Sequence, residues 1–585
     1  MRKILYIFIL VFTLLLVGCY DKGEEYQITY YVDNMQVVLE PSSYYYGDKF
    51  DLPVPSVTEG KIFDGWYLYD DFFGTRITSI RDRIGNIILY GTLKESNSQG
   101  GNQNPGNNNQ EGNENPGNNN PGGNENPGNN DQGGNENPGN QDTANNYFKV
   151  DVTYSPMIDV KDRMCYDSYT GETYGVTLGL PSIGNPKVLV IPVSFTDSPA
   201  PTNMKQTLEK AFFGTSSDTG WESLQSYYYK SSYGKLNIEG TVLEPYNTGK
   251  SVSYYNSKQK QYIKDLEAYY NYQTDEFPDG VEYEILSNAL KYYDSKIDYS
   301  DYDYDNDGLI DSIYLIYTTD YDKDEESLWW AFTQEYLTSD YEYYDNVEAD
   351  FYCFSSYQFF FDELYGKKVT LNCETIIHET GHLLGLDDYY DYSPYEGPEG
   401  GIGGGDMMDY NVGDHNAYSK LMLGWIDPVI VTGNQTFDLS SFGKSGDTVF
   451  IFKDYNNTFF DEYFVIDYYT PDGLNEFGKG ENGLFSEAGI RIYHVNATLN
   501  NPSDCYSIFE LTLYNNSYSN IKLISLVEAD GRDDILDNGY SENSDLFKTG
   551  SICNNLKWSD NSKVNITIKV NSINSEKANI TIEYN

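Results

Sequence analysis

Apolar and polar positions follow five different patterns along this chain. After Met1-Arg2-Lys3, the run from Ile4 to Val17 is almost unbroken apolar, the layout of a charged leader and short hydrophobic core of a secretory signal over residues 1–18. It is shorter than the roughly 20 residues that span a bilayer core. Residues 28–94 mix Tyr, Val and Ile with Gly and Pro punctuation, which predicts a small strand-rich module. Residues 95–146 have no apolar periodicity. Asn-Pro-Gly recurs there from Asn104, Asn115, Asn126 and Asn137, and so polar a segment cannot bury area, so a disordered tether is expected. Farther on, Lys187–Phe195 reads as a fully buried strand, Trp221–Tyr233 has helical spacing, and Leu309–Tyr317 reads as another strand. This alternation predicts an α/β (α+β) unit over 147–435. From about Thr436 the pattern turns to short β-rich runs, Tyr463–Tyr468, Gly489–Val495, Lys522–Val527 and Val564–Val570, which predict a β-sandwich-like C-terminal domain over 436–585.

Length and charge narrow the function. At 585 residues the chain exceeds what one core usually organises. Acidic residues outnumber basic ones 90 to 38, for a net charge of −52, so nucleic-acid partners are not expected and Ca²⁺ is a suitable counter-ion. Cys165, Cys353, Cys373, Cys505 and Cys553 are widely spaced and form no dense disulfide scaffold; one or two bridges are compatible with an export compartment, but their pairing is not readable. A removable pro-segment, if the chain has one, is to be sought in residues 147–186.

The chemistry concentrates in His378-Glu379-Thr380-Gly381-His382-Leu383-Leu384-Gly385-Leu386-Asp387-Asp388. On a helix, His378 and His382 lie one turn apart on one face and can converge on a metal. Glu379 then stands beside the metal, placed to take a proton from a zinc-activated water and deliver it to a leaving amine. Gly385 lets the helix end in a left-handed turn, so that Asp388 can return as third ligand; Asp387 is the alternative, and the glycine spacing favours Asp388. A second acidic pattern, Asp303, Asp305, Asp307 and Asp311 with Gly308 at the sixth position, suits a calcium loop. Tyr314 stands where a full EF-hand carries Glu, so a shortened loop is expected. The acidic stretch Asp530–Asp537 is a weaker cation candidate.

Several motifs carry resemblances. Leu16-Val17-Gly18-Cys19 resembles the lipobox of bacterial lipoproteins, which implies lipidation at Cys19, a lipid-anchored segment 19–27, and a chain held on the outer leaflet at the bacterial cell surface. Phe63-Asp64-Gly65-Trp66-Tyr67 with Asn86–Gly91 resembles the Listeria–Bacteroides surface repeat, a β-grasp-like stalk module, with Gly91 and Leu93 departing from its usual Tyr-Ala-x-Trp ending. The zinc motif resembles the metzincin clan with Asp as third ligand. More closely, most of residues 187–585 resembles the immune inhibitor A family of secreted metallopeptidases. The landmarks are Ser231–Leu236, Asp388-Tyr389-Tyr390-Asp391, Gly404–Met408, Ala417–Trp425, Glu462-Tyr463-Phe464, Gly489–His494 and Val527–Gly531. The resemblance implies a metzincin-like zinc peptidase domain and puts Met408 in the Met-turn beneath the metal. Tyr410, two residues on, matches the Met-x-Tyr spacing of some metzincins, a spacing not characteristic of the immune inhibitor family, and is the candidate oxyanion-stabilising phenol; His415 stands between packing and a substrate or transition-state contact, and His494 is expected in an ordinary structural hydrogen bond. A monomeric zinc metalloendopeptidase acting on extracellular proteins or peptides, with Zn²⁺ and Ca²⁺ as cofactors, is the expectation. A surface adhesin whose peptidase fold has lost most of its activity is the contrasting one, and a zinc hydrolase acting on a non-peptide substrate is compatible with the motif by itself.

Overall fold

The computed structural model describes residues 25–95, apart from 33–34, 46–48, 56, 58–60, 68–78 and 82–86. It also describes residues 146–585, apart from 159–164, 167–172, 175–178, 271–277, 325, 337–341, 392–401, 456–457, 501–510, 518, 534 and 536–538. The expected signal peptide, Cys19 and the tether from 96 to 145 lie outside the described residues. The described chain falls into two compact units, one from the 25–95 module and one from 146 to the end.

In the first unit, strands run in the order Met35–Val37, Glu25–Val32, Ile87–Glu95, Lys61–Tyr67, with the central pair parallel. Trp66 is buried against Tyr30 and Phe63 and donates its indole N–H to the Pro53 carbonyl at 2.7 Å. Gly91 sits opposite Trp66, and a Cβ there would stand 2.6 Å from the Phe63 ring, so the close packing of the two rings requires a residue without a side chain.

The second unit is mixed α/β and holds several mixed sheets. Its first sheet is ordered Glu239–Val242, Lys187–Ser194, Ile313–Tyr317, Phe351–Ser356, Phe332–Glu335. The first four strands are parallel and the last is an antiparallel edge. Lys187–Ser194 reads as one apolar run because both faces are covered. Val188 and Val190 face a core shared with the helices Met204–Phe213, Leu224–Ser231 and Glu374–Leu383, while Leu189, Ile191 and Val193 face Tyr255 and the helix Val281–Tyr293. Each fully buried aliphatic side chain contributes about 1.5–3 kcal/mol. The helix expected over Trp221–Tyr233 begins at Leu224, where the Ser223 side chain caps the Ser226 N–H. The strand expected over Leu309–Tyr317 is broken into Leu309–Ile310 and Ile313–Tyr317, because Asp311 turns away to the acidic loop and accepts the Tyr304 N–H at 3.1 Å.

The second sheet is ordered Ile524–Leu526, Gly489–Asn496, Glu462–Tyr469, Thr448–Phe452, Val429–Val431, Tyr147–Lys149. It draws strands from both sides of the boundary expected at 435. Phe464, Ile466 and Tyr468 face a third sheet that contains Gln435–Ser440, Lys577–Tyr584 and Ile566–Ile573, whereas Tyr463, Val465 and Tyr469 face the core behind the metal motif. One sheet thus serves two cores, and 146–585 cannot be divided cleanly at that point. Residues 147–149 and Val152 belong to this packing too, since Tyr147–Lys149 pairs with Val429–Val431 and the Val152 N–H bonds Asp427 at 3.0 Å. Cys353, Cys373 and Cys553 are buried free thiols. No helix among the described residues is long and apolar enough to cross a membrane.

Candidate metal centre

The motif helix runs Glu374–Leu383, and its last turn is closed by Gly385, whose φ of +92° lies in the left-handed region that favours glycine. The Gly385 N–H bonds the His382 carbonyl at 2.8 Å and the Leu386 N–H the Gly381 carbonyl at 2.9 Å, and this turn brings Asp388 back to the histidine face. Asp388 Oδ1 stands 3.0 Å from His378 Nε2 and 3.4 Å from His382 Nε2. His378, His382 and Asp388 form one group of ligand atoms within 4.8 Å of one another, and neither Asp387 nor Glu379 belongs to it.

The second nitrogen of each ring fixes what the first can do. His378 Nδ1 lies 2.8 Å from the Met407 carbonyl and His382 Nδ1 lies 2.8 Å from the Leu386 carbonyl. Carbonyl oxygens only accept, so both Nδ1 atoms carry hydrogen and both Nε2 lone pairs point at Asp388. Three lone-pair donors converging in a buried place need a cation or protons. Burial opposes charge on His382, but the Asp388 carboxylate raises its imidazole to about 10. Burial likewise opposes ionisation of Asp388, yet His382 and His378 hold its carboxyl far below the usual range. The donor set, two imidazoles and one carboxylate at these separations, fits Zn²⁺.

Glu379 is buried beside this group. Burial pushes its carboxyl above the ordinary value, while the two imidazoles and a hydrogen bond from Thr333 favour the carboxylate. Underneath, Met408 is fully buried, and a Cβ on Gly381 would stand 2.2 Å from its sulfur, so Gly381 is small because the methionine fills that space. The turn that carries Met408 is held by Asp406, which accepts the N–H groups of Met408 at 2.8 Å and Asn416 at 2.6 Å. Tyr389 links the two turns: its N–H bonds the Met408 carbonyl at 2.8 Å.

The other residues singled out from sequence fall in several places. The Tyr410 ring stacks on Tyr540, with centroids 4.9 Å apart, and is 37% exposed. The phenol drawn up to the ligand set is Tyr390: burial first, then Asp388 and Glu379, raise it well above its ordinary value, so it stays protonated and donates to Asp388. In the sequence, Tyr390 stands out only within the Asp388–Asp391 segment. His415 is buried within a cage of Tyr227, Tyr228 and Trp425, and burial, with Lys420 and His378, keeps it neutral. His494 bonds Glu462 at 2.9 Å through Nε2 and stacks on Phe464. Thr333, 46 residues before Glu379, carries no local signal; its place depends on the register of an edge strand.

In the acidic loop, Asp303, Asp305 and Asp311 form a group, and Asp307 falls outside it, its Oδ1 accepting the Leu309 N–H at 3.0 Å. Asp303 accepts N–H groups from Asp307 and Gly308, both at 3.1 Å. Burial, then the neighbouring Asp305 carboxylate, pushes Asp311 up to about 9. A third group, Glu528, Asp530 and Asp545, includes Asp530 from the acidic stretch but takes its other members from outside it. No protein-family profile and no curated protein matches the chain.

Proposed function

We propose that this chain is a zinc metalloendopeptidase, metzincin-like in its catalytic part and of the immune inhibitor A type, that cleaves extracellular protein or peptide bonds. On this reading it is held at the bacterial cell surface through Cys19, behind a β-grasp-like repeat, and acts as a monomer. The observation that carries the reading is the convergence of His378 Nε2, His382 Nε2 and Asp388 Oδ1, with both Nδ1 atoms spent on backbone carbonyls and Glu379 left free of the ligand set.

Zinc bound by these three residues supplies a Lewis acid and lowers the pKa of a coordinated water to about 7. Glu379 takes a proton from the attacking water as it adds to the scissile carbonyl, then gives that proton to the leaving amine. Burial of Glu379 suits both steps, because it lifts the carboxyl toward the pH at which it can accept and return a proton. Tyr390 and the backbone carbonyls of Met407 and Leu386 orient the ligands. Calcium at Asp303, Asp305 and Asp311 fits as a structural ion that neutralises a buried carboxylate.

The test is hydrolysis of casein by the purified chain with and without a zinc chelator, alongside metal analysis. Chelator-sensitive cleavage that returns on adding zinc supports the reading; a zinc-loaded protein that leaves casein and a peptide library intact refutes it.

A further inference from the structure

Thr333 lies on the edge strand Phe332–Glu335, paired with Cys353 of the neighbouring strand, and reaches across to the motif helix. Its Oγ1 stands 2.9 Å from Glu379 Oε2 and 3.0 Å from the Glu379 backbone carbonyl. Both oxygens belong to the same residue, so the single hydroxyl proton lies between two acceptors of Glu379, the carboxylate oxygen at the end of its side chain and the main-chain carbonyl. A glutamate has three rotatable side-chain bonds, and a base that must meet a small water at one spot gains from having them fixed.

We propose that Thr333 is the positioning residue for Glu379: it holds Oε2 and so assigns Oε1 as the oxygen that handles the proton. The inference rests on the peptidase reading above. In that reaction an O–H bond of water breaks, its proton goes to Glu379 Oε1, and the water oxygen bonds to the carbonyl carbon. The C–N bond then breaks, and the Oε1 proton passes to the amine nitrogen. After the first transfer Oε2 is the carbonyl oxygen of a carboxylic acid and still accepts from Thr333. The same hydrogen bond therefore serves Glu379 before and after it takes the proton, and the residue need not reorient between its two roles.

Thr333→Val keeps the shape and removes the donor, whereas Thr333→Ser restores the donor. On a quenched peptide substrate, kcat of Thr333→Val falls roughly 10- to 100-fold, the loss typical of a hydrogen bond to a charged group. KM stays within about two-fold, zinc content matches the wild type, and Thr333→Ser recovers most of the rate. The second readout does not need activity. In zinc-loaded crystals the Glu379 side chain leaves its single position in Thr333→Val and returns to it in Thr333→Ser. Glu379 held in the wild-type position in Thr333→Val, or an unchanged kcat in that variant, overturns the proposal. A wild-type protein that cleaves no peptide refutes the peptidase reading instead, and the crystal comparison still decides whether Thr333 positions Glu379.

Discussion

The His378–Asp388 centre and the Asp303–Asp311 loop each gather three metal-competent side chains from a short stretch of chain, but they meet the resulting charge in different ways. The first is a mixed set of two imidazoles and one carboxylate. Their attraction for one another is internal, and the backbone carbonyls of Met407 and Leu386 fix the ring tautomers. The second has carboxylates alone. Asp303 leans on the loop's own N–H groups, and Asp311, buried to 4% exposure, is left among like charges and pushed up to about 9. A site of the first kind is preformed, as the proposed chemistry requires. In the second kind, a cation relieves strain that the fold itself creates, so losing it should be felt in stability rather than in rate.

The sharpest way to break this contrast is Glu379→Gln. The amide keeps the shape and can still accept from Thr333, but it cannot take a proton. We expect kcat/KM to fall by roughly 10²- to 10⁴-fold with zinc content and thermal midpoint unchanged, measured by peptide hydrolysis, metal analysis and calorimetry on the same preparations. A variant with near-normal activity would remove Glu379 from the mechanism and overturn its assignment as the base.

The contrast also explains what could be read from sequence. His378, Glu379, His382 and Asp388 share one helix and one turn, so a 3.6-residue period and one glycine are enough to bring them together. Thr333 reaches the same place only through strand pairing, and nothing in its neighbourhood encodes that register. Likewise, Ser231 and Lys420 lie far apart in the chain yet meet on Asp414, at 2.5 Å and 2.6 Å; nothing local in either segment encodes that contact. The domain boundary expected at 435 falls where the pattern turns from mixed to β-rich. That turn is real, but Glu462–Tyr469 buries both faces, and a continuous apolar run does not reveal that its two faces serve different cores. Asp311 broke an expected strand because one charged residue inside an apolar run takes its backbone to the loop that can use it.

A smaller effect is expected from Gly381→Ala, which asks how rigid the preformed centre is. Alanine improves helix propensity by about 1 kcal/mol. Its Cβ, however, would stand 2.2 Å from the Met408 sulfur and 2.9 Å from its methyl, in a place where Met408 has no exposed surface to move into. Overpacking of this kind costs about 1–3 kcal/mol, so the net outcome is a modest loss of stability with weaker zinc retention against a chelating dye. If stability rises instead, Met408 is free to swing away and the floor of the centre is softer than its packing indicates.

The smallest effect tests the other side of the comparison. Asp311 has an ordinary value of 3.8 and is pushed up to about 9 in the fold, so without a cation the fold favours its protonated form. Its contribution to stability is then full below about pH 4 and is lost as pH rises toward 9. Calcium takes the place of that proton and competes with it less as pH rises. Calcium should therefore raise the thermal midpoint more at pH 8 than at pH 5, the difference following the rise in its affinity as the proton leaves. In Asp311→Asn both the calcium effect and its pH dependence should shrink together. Equal calcium shifts at the two pH values, or a shift that survives in Asp311→Asn, would place the bound ion elsewhere, with the Glu528, Asp530 and Asp545 group the next to test by the same measurement.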